Sequence, residues 1–170
     1  FRRVLFRSRG AAGADPAVGD GALLDALIER LPELVHRRLH VAGYDTSEHA
    51  IHAASLRLRA RFPAVDFHLE NADFLEHVLN QHGLPDLLNQ HSTEAKFDLV
   101  IANPPYVRTQ VMGAKQAQWL SESFGLSGRV DLYYPFLLGI SRVLKTDGIA
   151  GVITSNRFMT TKAGQAVRYA

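Results

Sequence analysis

The chain has 170 residues, 46% hydrophobic and 21% charged, with 13 glycines and 7 prolines, which is the usage of one soluble globular domain and excludes disordered, collagenous and membrane-spanning chains. Its net charge of +2 rests on Arg2, Arg3, Arg7 and Arg9; past residue 9 there are 15 basic against 17 acidic residues, so the basic excess is no nucleic-acid footprint of the domain. Cysteine is absent, which removes disulfides, thiolate zinc sites and cysteine nucleophiles, and with no signal peptide or apolar span of about 20 residues the chain reads as cytosolic.

In chain order, the small residues Gly10 to Ala14 lead into Asp15-Pro16-Ala17-Val18-Gly19-Asp20-Gly21. Leu23, Leu24, Leu27, Ile28 and Leu31 then recur at helical spacing, giving strand, glycine turn, helix. Val41 to Tyr44 is a second short strand ending at Asp45, with Thr46 and Ser47 as caps of a helix that carries Ala50, Ile51, Ala54 and Leu58 on one face. Val65, Phe67 and Leu69 alternate with polar residues up to Asn71-Ala72-Asp73, and a helical segment follows around Phe74 to Leu79. Phe97 to Ala102 is a continuous apolar run, as expected of a parallel strand covered on both faces, and it ends at Asn103-Pro104-Pro105-Tyr106. Val107 to Val130 reads as a polar, irregular stretch. A helix capped by Asp131 then presents Leu132, Phe136, Leu137, Ile140, Val143 and Leu144, with Pro135 in its first turn. Lys145 to Gly148 reads as a turn before a strand from Ile149 to Thr154, and Ala163 to Ala170 reads as a helix cut off in mid-course. With Phe1 as its first residue, the chain is expected to be a fragment.

Strands alternating with helices predict an α/β fold, doubly wound, with a mostly parallel sheet. Asp45, Asp73 and Asn103 follow successive strand ends at intervals of 28 and 30 residues, about one crossover unit, which puts them together on the carboxyl edge where such sheets bind ligands. Gly19 and Gly21 allow a sharp backbone turn close to a ligand. The third glycine of the dinucleotide fingerprint is replaced by Leu24, and no Gly-Lys-Ser or Gly-Lys-Thr follows. Asp45 is placed to accept ribose hydroxyls, and it also suits a helix cap. The prolines after Asn103 fix φ and remove amide donors, so local carbonyls stay free to accept. With the Asn103 side-chain oxygen and the Tyr106 ring they make an acceptor pair and a stacking plate, suited to a planar group bearing an NH₂.

This set of residues resembles the S-adenosylmethionine-dependent amino-methyltransferases, above all the adenine-specific DNA methyltransferases of restriction-modification systems, over Asp15 to Arg168. The resemblance implies a Rossmann-like domain in residues 11–170, truncated at its C-terminus, behind a non-matching terminus in residues 1–10. It implies cofactor binding by Asp15, Pro16, Ala17, Gly19, Gly21, Asp45, Asp73 and Asn103, with the glycine turn on the methionine part, Asp45 on the ribose and Asp73 on the adenine. Asn103, Pro104, Pro105 and Tyr106 match the catalytic motif, which acts on an adenine flipped out of double-stranded DNA. The recognition region and the second aromatic that sandwiches the base are expected beyond residue 170. Asp131-Leu132-Tyr133 and Ile149 to Phe158 resemble combined restriction-methylation polypeptides, which implies a fused or associated nuclease.

The same tetrapeptide also resembles enzymes that methylate a glutamine of release factors or a guanine amine of ribosomal RNA. Other classes are a nucleotide-binding oxidoreductase, against which the missing glycine speaks, and a non-catalytic remnant. Among the eight histidines, His49 and His52 are three apart on a helix but lack zincin spacing, so no metal site is expected. Phe158 is read as packing or pocket lining, and Trp119 with the glutamine-rich stretch around Gln110 to Gln118 as packing or as a loop near the substrate.

Overall fold

A computed structural model describes residues 10–82, 96–107, 113–126, 131–161 and 164–169. The arginine-rich terminus, Gln110, Val130, Ala163 and Ala170 lie outside the described residues. Five strands, β1 (Ala11–Asp15), β2 (Leu39–Asp45), β3 (Asp66–Asn71), β4 (Phe97–Ala102) and β5 (Leu144–Val152), form one sheet in the order β3-β2-β1-β4-β5, every neighbouring pair parallel. The strand order runs outward from β1 in both directions. The carboxyl ends of β1 and β4 therefore border the switch point at which such sheets open a crevice.

Helices α1 (Ala22–Glu29), α2 (Glu33–His36) and α3 (Glu48–Arg61) belong to one face, and α4 (Phe74–His82) and α6 (Tyr133–Val143) to the other. α5 (Ala114–Ser123) follows β4, and a 3-10 turn (Asn156–Met159) and α7 (Gln165–Arg168) follow β5; Leu120, Phe158, Ala166 and Val167 from these segments pack with the second face. Strand alternation divides the core into two clusters. Val41 joins Leu24, Ile28, Ala54, Leu58 and Phe67 on the first face, while its strand neighbour Tyr44 joins Phe74, Val78, Val100, Phe136 and Ile140 on the second. Ser47 caps α3 as expected, its hydroxyl accepting from Ala50 N at 3.3 Å. At the opposite edge Asp98 Oδ2 accepts from Ala12 N at 2.9 Å and from Lys145 Nζ at 3.0 Å, tying β1, β4 and β5 together.

Three local expectations need correction. The stretch read as irregular contains α5, whose sequence is polar on most sides; it buries Leu120 and is followed by the buried Phe124 and Leu126, so tertiary packing rather than periodicity holds it. Lys145 to Gly148 does not precede the last strand but lies within β5. There the register jumps from Phe97↔Leu144 to Leu99↔Ile149, and Asp147 takes φ 66°, the left-handed conformation that Asp tolerates better than most residues. Asp131 does not cap α6 with its side chain. Leu132 is the N-cap, and Asp131 contributes its carbonyl to Tyr134 N at 3.0 Å.

Gly139 sets how closely α6 approaches α4, because a Cβ there would lie 2.9 Å from Phe74 Cε1. Gly139→Val is expected to lower the urea unfolding free energy by about 1–3 kcal/mol through overpacking; an unchanged midpoint would show that Phe74 can yield.

Candidate active site at the carboxyl edge

β1 ends at Asp15, which is 1% exposed. Its Oδ1 accepts from Ala17 N at 3.0 Å, whereas Oδ2 is buried without a hydrogen-bond partner. Burial raises its pKa to about 7; the Ala17 bond opposes this and the charge of Asp45 adds to it. The turn that follows is held against β2 by Val18 N donating to Tyr44 O at 2.9 Å, and it passes through Gly19 at φ 53° and Gly21 at φ 81°. Glycine is required twice over at Gly21, since a Cβ would also meet Leu58 and Ala54 at 3.1–3.2 Å, whereas the space beside Gly19 is open.

Asp45 organises this turn. Its Oδ2 accepts from Gly19 N at 3.0 Å and its Oδ1 from Ser47 N at 2.9 Å. Asp73 behaves similarly at the start of α4, where Oδ1 accepts from Leu75 N at 2.8 Å. Both carboxylates therefore shape the backbone, and each keeps lone pairs for a ligand. At the end of β4, Ile153 N donates to Ala102 O at 2.9 Å, carrying the β4–β5 pairing up to the tetrapeptide. Pro104 is fully buried, and Asn103 and Tyr106 are exposed. The Tyr106 hydroxyl donates to Ile153 O at 3.0 Å, and its ring lies 6.3 Å from that of Tyr133 at 44°.

A cleft of about 480 Å³ opens between these strand ends. Of the residues expected from the sequence, Pro16, Ala17, Asp45, Asp73, Asn103 and Pro105 line it. Asp15, Gly19, Gly21, Pro104 and Tyr106 are not in its wall: the first three shape the turn behind it, Pro104 is buried, and Tyr106 stands beside it. Gln116 of the glutamine-rich stretch lines it too, and sequence reasoning missed Thr46, Ala72, Phe74, Leu75, Leu132 and Phe136 as lining residues. Apolar residues at helical spacing look the same whether they face a core or a cleft, so only the position of Thr46 and Phe74, one residue after Asp45 and Asp73, carried a signal. Phe74 stacks on Phe136 with centroids 5.8 Å apart, giving the cleft an apolar, aromatic wall opposite its polar strand ends. Trp119, on α5, is 40% exposed, and Phe158 packs in part against the second core cluster. Among the described residues no group of three or more His, Asp or Glu could hold a metal ion, and no helix is long and apolar enough to cross a membrane.

Residues 39–170 match the Eco57I restriction-modification methylase family. The type II methyltransferase M.BanIII of Aneurinibacillus aneurinilyticus is 41% identical over 157 residues, 92% of this chain and 27% of that protein. M.BstVI of Geobacillus stearothermophilus, also a type II methyltransferase, is 31% identical over 91% of this chain and 30% of its own length. The chain thus spans less than a third of these relatives. Among solved structures, a class I S-adenosylmethionine-dependent methyltransferase from Listeria monocytogenes superimposes with a TM-score of 0.67 at 20% identity, over 98% of this chain and 46% of its own. A methyltransferase subunit of the type I restriction-modification system of Streptococcus thermophilus gives 0.67 at 18%, over 98% and 35%. Those likenesses establish the Rossmann-like fold of such methyltransferases. By the match over residues 39–170 and by these relatives, the chain belongs to the Eco57I restriction-modification methylase family.

Proposed function

We propose that this chain is the cofactor-binding and catalytic part of a DNA methyltransferase that transfers a methyl group from S-adenosylmethionine to the exocyclic amine of an adenine flipped out of double-stranded DNA. The observation that carries the reading is the convergence of Asp45, Asp73 and Asn103 on one cleft at the switch point, with Tyr106 beside it. The substrate DNA would be held by a recognition region outside this chain, in a cytoplasmic restriction-modification system with a fused or associated nuclease.

The residues present fit the cofactor. Asp15 Oδ2, buried and without a partner, suits an ammonium group. The free lone pairs of Asp45 suit ribose hydroxyls, the second oxygen of Asp73 suits an adenine amine, and the wall of Phe74, Leu132 and Phe136 suits a flat heterocycle. When bound, the cofactor supplies a methyl group already activated by its sulfonium, so the protein's task is to place a nucleophile in line. An aryl amine is a weak nucleophile because its lone pair is delocalised into the ring. Asn103 Oδ1 and the Pro104 carbonyl, both acceptors, would draw its two hydrogens out of the ring plane and aim the lone pair across the cleft. Those hydrogen bonds strengthen as positive charge grows on nitrogen, which favours the transition state over the ground state. The amine is inaccessible inside a duplex, so the base must leave the stack, and the Tyr106 ring offers it a new stacking surface.

Titration calorimetry with S-adenosylmethionine and NAD tests the cofactor. Selective S-adenosylmethionine binding is expected, weakened at least about tenfold by Asp45→Ala through the loss of hydrogen bonds to a charged group, with a urea melt to confirm that the variant folds. Selective binding of NAD would replace the proposal by an oxidoreductase.

A further inference from the structure

A second cavity of about 170 Å³ is bounded by Tyr106, Asp131, Tyr133, Ser155 and Arg157. That is several times the roughly 30 Å³ share of one water. Tyr133 is 1% exposed, and its hydroxyl, flanked by those of Tyr134 and Ser155, makes no hydrogen bond of normal geometry. Ser155 Oγ accepts from Arg157 N at 3.3 Å, which leaves its own proton to donate. Asp131 and Arg157 face the same socket, yet neither forms an ion pair with the other or with any other described residue.

An unpaired carboxylate and an unpaired guanidinium around one small socket restrict what fits it. A phosphate would meet Asp131, and a divalent cation would meet Arg157 with a single carboxylate to hold it. An apolar group would leave the hydroxyls and both charges without partners. A planar edge carrying hydrogen-bond donors beside acceptors satisfies all of them, and an aromatic ring at the mouth suits a planar ligand: this is the chemistry of a nucleobase. The adenine proposed as target is not that base. With its amine held by Asn103 and Pro104 it presents only ring-nitrogen acceptors, leaving Asp131 without a donor.

We infer that the socket holds the edge of a base flanking the target, with Asp131 accepting from its amino or imino group and Arg157 and Ser155 donating to its carbonyl or ring nitrogen. The inference rests on the reading of DNA as substrate. It makes Asp131 and Arg157 specificity-determining residues within the catalytic part of the chain, apart from any separate recognition region.

NMR titration of this chain tests it, following the aromatic signals of Tyr106 and Tyr133 and the guanidinium of Arg157. The probes are the 5′-monophosphates of deoxyguanosine, deoxycytidine, thymidine and purine deoxyriboside, with inorganic phosphate alone. The first three are expected to shift these signals together. The purine deoxyriboside nucleotide, which has no donor on its base, is expected to bind about tenfold more weakly, in keeping with the discrimination carried by one good base contact. Asp131→Ala, which deletes the acceptor that Asn would keep as an amide oxygen, is expected to remove that difference. Equal shifts from inorganic phosphate would make the socket a phosphate site and overturn the inference, as would equal binding of the donor-free nucleotide. S-adenosylmethionine is titrated into the same samples. Cofactor binding without a nucleotide response sinks the socket alone, and a nucleotide response without cofactor binding sinks the methyltransferase reading while leaving the base site standing.

Discussion

Asn103→Ala is expected to lower methyl transfer to unmethylated genomic DNA by about 10²–10³-fold, the usual cost of removing one hydrogen-bonding group that acts on charge developing in a transition state. Affinity for S-adenosylmethionine should stay within a few-fold. The asymmetry follows from the position of the residue. Asn103 is exposed at the end of β4, the bonds that shape the glycine turn belong to Asp15 and Asp45, and the tetrapeptide backbone is anchored by the pairing of Ile153 N with Ala102 O. Removing the Asn103 amide therefore deletes one of two acceptors for the amine and leaves the cofactor's proposed contacts with Asp15, Asp45 and Asp73 in place. Scintillation counting of transferred methyl groups, alongside calorimetry of the same variant, separates the two effects. Turnover equal to that of the parent protein would refute the assignment, and a parallel loss of cofactor affinity would make Asn103 a binding residue instead.

Asp15→Asn is expected to act on stability and on ligand binding in opposite directions. The carboxyl of Asp15 has a pKa of about 7 in the folded chain, against 3.8 as the reference value, so the folded state holds its proton more tightly than the unfolded state. Below the reference value both states are protonated and the group has no effect. Between there and about pH 7 only the unfolded state has ionised, and stability falls as pH rises; above that range both are ionised and the loss is complete. At 1.36 kcal/mol per unit the full loss is on the order of 4 kcal/mol. Asn carries no charge and can keep the bond from Ala17 N, so the variant should lose this slope between pH 5 and pH 8 and unfold at a higher urea concentration than the parent at pH 8. Its affinity for S-adenosylmethionine should fall about tenfold or more, since a charge-assisted hydrogen bond to a buried carboxylate contributes about 1.5–3 kcal/mol. A variant that kept the parent's pH slope would show that Asp15 is ionised in the folded protein, and the stability argument would fail with it.

How much of this was legible in the sequence depended on whether a local pattern had one physical cause or two. The run from Leu99 to Ala102 had one, because a continuous apolar strand between turns needs cover on both faces, and β4 lies in the interior of the sheet. The spacing of Asp45, Asp73 and Asn103 also had one, since a strand and its return helix take about 30 residues, and the three residues do share a cleft. Asp45 and Asp73 were ambiguous between ligand contact and backbone capping, and the bonds to Gly19, Ser47 and Leu75 show that capping is real. Helix α5 left almost no periodic trace because so few of its residues are buried. The jump within β5 was invisible because Lys145-Thr146-Asp147-Gly148 spells a turn locally, and only pairing with β4 on both sides of it makes the segment one strand. Leu132 and Phe136 read as core, and they are buried; that they also border the cleft follows from where α6 docks, which no window of sequence contains.

The hydroxyl of Tyr106 donates to the Ile153 carbonyl, a bond made within the chain itself. A ring held in this way has lost its rotamer freedom when the chain folds, so a base stacking on it, as proposed above, would not need to immobilise it. For a side chain still free in the unbound protein that ordering costs about 0.5–1.5 kcal/mol at the moment of association. Under that proposal the tether would move this cost from recognition to folding, and the aromatic ring it holds is more than half exposed to water.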